Sequence, residues 1–330
     1  MARIAAAFGT SHSVMLAAQL EDWLTKFRTS DLRLPFYDRQ GKRITFEDVL
    51  ARAPADAAKY ITPEAITARF HAVQAAMARM RDEVIGAKLD VLVIVGDDQY
   101  EIFHDKLMPA IGVYYGENIR NAKRREYPPE DWYKLAQMRR LEDDADFHYP
   151  CHRGLALYLI EQLTEREFDV AAIAGLEGEQ YEGHAYSFVH RWYLAGNVIP
   201  VVPIFLNTYN PPNPPTPRRC VRLGKALAEL IRSYPEDLRV GIIASGGLSH
   251  FVVEEDLDRG ILDALYRKDL DHLASLDSNR LKAGSSEIRN WIVVAAAAAE
   301  LNVTWSEYVP AYRTPALTGT GLAFARWTAA

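Results

Sequence analysis

The run Asp90-Val-Leu-Val-Ile-Val95 is apolar after its first residue and empties into Gly96-Asp97-Asp98-Gln99. An unbroken apolar run rich in β-branched residues, without polar alternation, reads as a strand buried on both faces. The same design recurs at Arg3 to Phe8, closed by Gly9-Thr10-Ser11-His12, and at Phe168 to Ala174. Leu238 to Ala244, closed by Ser245-Gly246-Gly247-Leu248-Ser249-His250, repeats it again. Ile199 to Leu206 is a fifth candidate, weakened by Pro200 and Pro203, which cannot donate to a ladder. Between these runs lie amphipathic helix candidates at Pro63–Ile85, His152–Leu163, Cys220–Ser233 and Ser286–Leu301. This alternation predicts a three-layer α/β/α fold around a central, largely parallel or mixed sheet. Functional groups in such folds collect beyond the carboxyl ends of the strands, where His12, Gln99 and His250 stand.

Two stretches break the pattern: a long polar insertion near 23–60 and a charged, aromatic one near 114–150. The second carries Pro128-Pro129 and predicts a surface insertion with a short helix near Trp132 to Leu141. Asn207 to Pro217, with five prolines, reads as a stiff extended loop. No repeat is present and neither proline segment reads as a linker, so residues 1–330 are expected to form a single domain.

Composition excludes several classes. The chain has 330 residues, 49% hydrophobic and 25% charged, the profile of an ordinary globular protein. A net charge of −6 gives no basic footprint for phosphates, so nucleic acid is not an expected partner. Two cysteines, Cys151 and Cys220, make no disulfide framework and no zinc-ligand pair, which points to a reducing cytoplasm. No run approaches the roughly 20 apolar residues that span a bilayer, so no membrane association is expected. Dinucleotide, Walker, serine-elbow and H-E-x-x-H motifs are all missing.

The candidate site residues each have a bland reading. A strand-end histidine such as His12 is often a satisfied, partly buried residue. His250, in a second glycine-rich loop, makes coincidence less easy to sustain. Glu287 precedes an apolar helix behind Ser285 and Ser286, where an acidic residue is ordinary first-turn chemistry. His184 and His190 are equally open to core roles. The pair His148 and His152 is interrupted by Pro150, and His71 and His272 read as surface residues.

Taken in order, Gly-Thr-Ser-His12, Val-Gly-Asp-Asp-Gln99, Glu-Gly-His184, Arg-Arg-Cys220, Ser-Gly-Gly-Leu-Ser-His250 and Ser-Ser-Glu287-Ile-Arg-Asn-Trp resemble the class III extradiol ring-cleavage dioxygenases. The likeness is to the protocatechuate 4,5-dioxygenase catalytic-chain type, nearest the 3-O-methylgallate branch, and covers roughly Ala2 to Ala325. It implies an iron(II) enzyme that opens a catechol-type aromatic acid with O2 to a dienoate. His12 and Glu287 would be iron ligands, His250 the acid/base residue and His184 a substrate contact. Thr318 falls where the family places a small hydroxyl near the substrate carboxylate; Arg313 nearby offers a bidentate alternative. Phe188, Trp192 and Tyr312 suggest walls for a flat ring, or simply core.

Gln99 is the departure, standing where the family's second histidine ligand follows the strand. The resemblance puts it at or near the metal as a weaker neutral ligand. Other readings are that Glu101 or His104 turns inward, that water fills the position, or that the chain is a metal-binding or regulatory homologue without dioxygenase activity. The insertions are expected to supply a homodimer surface; where related enzymes use a small partner chain, either the one at 114–150 serves as an internal lid or a separate partner chain is required.

Overall fold

The computed structural model describes residues 1–329. Nine strands form one sheet: β1 (Arg3–Thr10), β2 (Val91–Asp97), β3 (Ile111–Tyr114), β4 (Ala171–Ile173), β5 (Val201–Leu206), β6 (Arg239–Ser245), β7 (His250–Val252), β8 (Asn302–Tyr312) and β9 (Thr318–Thr328). Their order is β7-β9-β1-β6-β2-β5-β3-β4, with β8 paired to β9. The four central strands β1, β6, β2 and β5 are parallel. Beyond them β9 runs antiparallel to β1, and β3 antiparallel to β5, so the sheet is mixed.

The apolar run of β2 is buried on both faces as its composition requires. Val91, Val93 and Val95 face one cluster and Leu92 and Ile94 the other. The first cluster is covered by helices α2 (Arg153–Glu165), α3 (Pro217–Ser233), α4 (Glu255–Arg267) and α5 (Ile288–Ala297); the second by α1 (Pro63–Gly86). Both α1 and α3 open on Thr-Pro. Thr216 Oγ1 accepts the backbone N–H of Arg219 at 3.2 Å while Pro217 fills the first helical position, where its missing N–H costs nothing.

Differences from the sequence expectation have local causes. The run at Phe168 to Ala174 yields only Ala171–Ile173, because it lies at the sheet edge with a single neighbour. Pro203 is accommodated in a central strand because β3 pairs β5 only as far as Ile204. The β8–β9 ribbon was not anticipated. Its strands carry Pro310 and two glycines, Gly319 and Gly321, which mask a strand pattern; Pro310 is tolerated because β8 is an edge strand. The 114–150 insertion holds the expected short helix, Trp132–Met138, and a ribbon of Asn118–Asn121 with Phe147–Pro150.

Helices α3 and α5 touch where Gly224 stands. A Cβ there would lie 2.1 Å from the Val293 carbonyl oxygen and 2.7 Å from Ala296 Cβ. Gly224→Ala should therefore force the helices apart and lower stability by about 1–3 kcal/mol. The check is a reduced urea midpoint with an unchanged slope; an unchanged midpoint would mean the helices do not approach this closely.

Candidate metal centre

The carboxyl ends of β1, β2 and β6 converge on the start of α5. Asn290 Nδ2 donates to Asp97 Oδ1 at 3.0 Å and to the Ser245 carbonyl at 2.8 Å, and Trp291 Nε1 donates to the Gly246 carbonyl at 2.7 Å. Gly9 makes room for that indole, since a Cβ would sit 2.3 Å from its ring. These contacts fix the residue just before α5, Glu287, over the ends of the strands. Glu287 Oε2 accepts the Gly247 N–H at 2.6 Å and lies 3.2 Å from His12 Nε2.

Hydrogen-bond partners assign the proton on each imidazole. His12 Nδ1 lies 3.1 Å from Ser245 Oγ, whose own proton goes to the Ala185 carbonyl at 2.7 Å. Ser245 therefore accepts from His12 Nδ1–H, which turns Nε2 to the cluster. His184 Nδ1 lies 2.6 Å from Glu101 Oε2, which can only accept from it, so its Nε2 also faces the cluster. The two Nε2 atoms stand 3.1 Å apart. Asp97 completes the group at 3.9 Å from each Nε2, and ligand atoms of His12, Asp97, His184 and Glu287 all lie within 4.8 Å of one another.

Two imidazole Nε2 atoms and a carboxylate facing one buried point call for a positive charge, which a proton or a metal ion can supply. The spacing fits a metal, because atoms bonded at right angles on bonds of about 2.1 Å are about 3.0 Å apart. The electrostatics point the same way. Without an ion the same field favours a proton: burial opposes charge on His184, but the charge and hydrogen bond of Glu101, with Asp97 behind, pull it up to about 9, so a metal ion would take the place of that proton. Burial would raise Glu287, yet His12, His250 and the Gly247 N–H hold it well below the usual carboxylate range. Burial and then the Glu287 charge push Asp97 up.

Gln99 reaches the same place. Its Nε2 donates to Asp97 Oδ2 and to Glu287 Oε1, each at 3.2 Å. His250 sits across the site. Its Nδ1 is 2.9 Å from the Leu248 carbonyl and so carries the proton, and its backbone N–H donates to Ser285 Oγ at 2.8 Å. Gly247 and Gly284 cradle the ring, where a Cβ would lie 2.1 and 2.5 Å from it. Burial lowers its pKa, leaving a neutral imidazole with a free Nε2.

A cavity of about 340 Å³ opens onto these groups, with Phe27, Leu34, Tyr133, Phe188, Tyr209 and Phe251 among its walls. That volume suits a ligand of one aromatic ring. Both insertions contribute: Phe27, Ser30, Asp31 and Leu34 from one, Tyr133, Ala136, Gln137 and Arg140 from the other. Arg313 also lines the cavity. Its Nε is 3.0 Å from Asp31 Oδ2, while one terminal nitrogen is buried without a partner.

Two expected substrate contacts fall elsewhere. Thr318 lies behind the cavity wall, its hydroxyl donating to Asp31 Oδ2 at 2.6 Å. Tyr312 faces a second cavity, held by a hydrogen bond to Glu255, because alternation along β8 turns it away from the metal-side groups. Trp192 stacks on Phe188 rather than lining the site. Of the alternatives to Gln99, His104 bridges to Leu107 away from the cluster, and Glu101 turns inward but toward His184. His190 is fully buried, bonded to Glu182 at 2.9 Å and stacked on Tyr149 at 3.8 Å. The sequence gives no role to Asp97 and offers Glu101 only as a replacement for Gln99, while Arg140 and Asp31 carry no signal in it. The first two lie within the Gly-Asp-Asp-Gln-Tyr-Glu stretch and were legible there; the others sit in insertions with no periodicity to mark them.

Comparison with known proteins adds three likenesses. A segment of 54 residues, 16% of this chain and 16% of the relative, is 50% identical to gallate dioxygenase of Pseudomonas putida. Over 179 residues the chain is 27% identical to 2,3-dihydroxyphenylpropionate/2,3-dihydroxicinnamic acid 1,2-dioxygenase of Comamonas testosteroni, covering 54% of this chain and 49% of that protein. The chain thus spans less than half the length of these two curated relatives. An uncharacterized protein of Escherichia coli K12 aligns in structure at 14% identity and a TM-score of 0.43, over 75% of this chain and 91% of that one. Residues 64–323 match the family described as the catalytic LigB subunit of aromatic ring-opening dioxygenase, and with most of its length inside that match the chain belongs to this family.

Proposed function

We propose that this protein is an iron(II)-dependent extradiol dioxygenase. Its substrate would be a small catechol-type aromatic acid related to gallate, 3-O-methylgallate or protocatechuate, opened by O2 to a dienoate. The observation that carries the reading is the pairing of two facing imidazole nitrogens and the Glu287 carboxylate with a neutral His250 across a ring-sized cavity. His12 and Glu287 would hold the metal, with His184 and Gln99 both close enough to complete the set. When bound, iron(II) supplies Lewis acidity toward a phenolic oxygen and the one-electron chemistry that O2 requires.

The remaining work falls to the chain's own groups. The aromatic walls orient a flat ring. Arg313, which lines the cavity, offers its guanidinium to a carboxylate, a charge-assisted contact in a largely buried setting. His250, neutral and bare at Nε2, takes the phenolic proton and returns it to the departing oxygen as the ring opens. The two insertions wall the cavity from bulk water, and the free, buried Cys151 and Cys220 accord with a cytoplasmic setting.

Anaerobic iron loading followed by each of the three catechols in an oxygen electrode should give stoichiometric O2 uptake and a coloured or ultraviolet-absorbing dienoate. Uptake with none of them would leave a metal-binding homologue without dioxygenase activity. His250→Ala should cut turnover by roughly 10²–10⁴-fold with iron retained; loss of iron alongside activity would make His250 a ligand. Burial favours neutral His250, so the base form persists to lower pH than for a free imidazole. The rate kcat/KM should thus fall only below the ordinary histidine range, and His250→Ala should lack that acid limb. Arg313→Met should raise KM roughly 10-fold or more for carboxylated catechols and leave catechol itself unaffected; an equal loss for both would remove Arg313 from substrate recognition.

A further inference from the structure

We propose that His184, not Gln99, supplies the second imidazole ligand beside His12 and Glu287, and that Glu101 is the residue that positions it. The inference rests on the iron-dependent reading above and concerns which side chains hold the ion.

Gln99 is turned the wrong way to ligate. Its amide nitrogen meets two carboxylate oxygens, Asp97 Oδ2 and Glu287 Oε1, each at 3.2 Å. Reversing the amide would set its oxygen against both carboxylates, so the nitrogen must face them, and an amide nitrogen is not a ligand. Asp97 is no better placed. Both its oxygens already accept amide protons, from Asn290 and Gln99, and each stands 3.9 Å from an imidazole nitrogen. His184 Nε2 is 3.1 Å from His12 Nε2, the spacing expected of neighbouring ligands.

His184 also has the outer support of a metal-bound imidazole. Glu101 accepts its Nδ1–H at 2.6 Å and its backbone N–H at 2.9 Å, which fixes both the tautomer and the ring. Arg140 NH2, 3.2 Å from Glu101 Oε1, anchors the carboxylate from the 114–150 insertion. A carboxylate behind a histidine raises its basicity and orients it, and losing such a partner costs about 10–100-fold in metal affinity. Gly183 is required beside this pair, because a Cβ there would lie 2.8 Å from Glu101 Oε2. Gln99 is then a hydrogen-bond donor that holds Glu287 and Asp97 in place.

Two measurements on the full-length protein test this. Cobalt(II) titration of the apoprotein under argon should give affinity at least 100-fold weaker for His184→Ala and within a few-fold of wild type for Gln99→Ala. Glu101→Ala should lose about 10–100-fold, and Glu101→Gln, which keeps an acceptor, should lose less. Independently of any variant, nitrogen-15 NMR of histidine-labelled wild type loaded with zinc(II) as a diamagnetic probe should show Nε2 of both His12 and His184 shifting to metal-bound values. A His184 Nε2 that stays unbound, or a Gln99→Ala protein that loses metal while His184→Ala keeps it, would overturn the assignment and leave the dioxygenase reading intact. Metal bound through both histidines with no catechol consumed would do the reverse.

Discussion

Everything at this site depends on one electrostatic constraint: two imidazole Nε2 atoms and a carboxylate are held about 3 Å apart in a place largely closed to water. Such an arrangement is costly unless a positive charge sits among its members. The fold is built to hold it nonetheless. Ser245 and Glu101 each take the proton from the far side of an imidazole, and Asn290 and Trp291 pin the helix that delivers Glu287. Since these partners come from β6, the loop after β2 and α5, the geometry is a property of the whole sheet rather than of one loop.

The division of labour follows from the layers. Strand ends supply rigid positions for His12 and Asp97, and glycines at 247 and 284 leave space for the His250 ring. The insertions contribute what the sheet cannot, namely the aromatic walls, the Asp31 partner of Arg313 and the Arg140 anchor behind Glu101. The stretch near 114–150 thus forms a wall of the cavity within the same chain.

Much of this was legible in the sequence. The unbroken apolar strands and the glycine-rich loops after them mark the parallel centre of the sheet and set His12, Gln99 and His250 at strand ends, whereas Glu287, whose position alone reads as helix capping, joins them only through the family resemblance. What escaped notice did so for physical reasons. The β8–β9 ribbon hides its alternation behind proline and glycine. Thr318 rests on the resemblance and Tyr312 on its aromatic ring, and neither tells which face of a strand points at a cavity. The resemblance sets Gln99 where the family's second histidine ligand stands, whereas the hydrogen bonds that turn its amide nitrogen inward are visible only in three dimensions.

The most direct measurement is anomalous diffraction at the iron edge from anaerobically grown, iron-loaded crystals. One peak bounded by His12 Nε2, His184 Nε2 and Glu287 Oε2, opening toward the cavity lined by His250 and Arg313, is the expected result. Iron seated elsewhere, or no ordered iron at all, would be incompatible with the cation-demanding site described here.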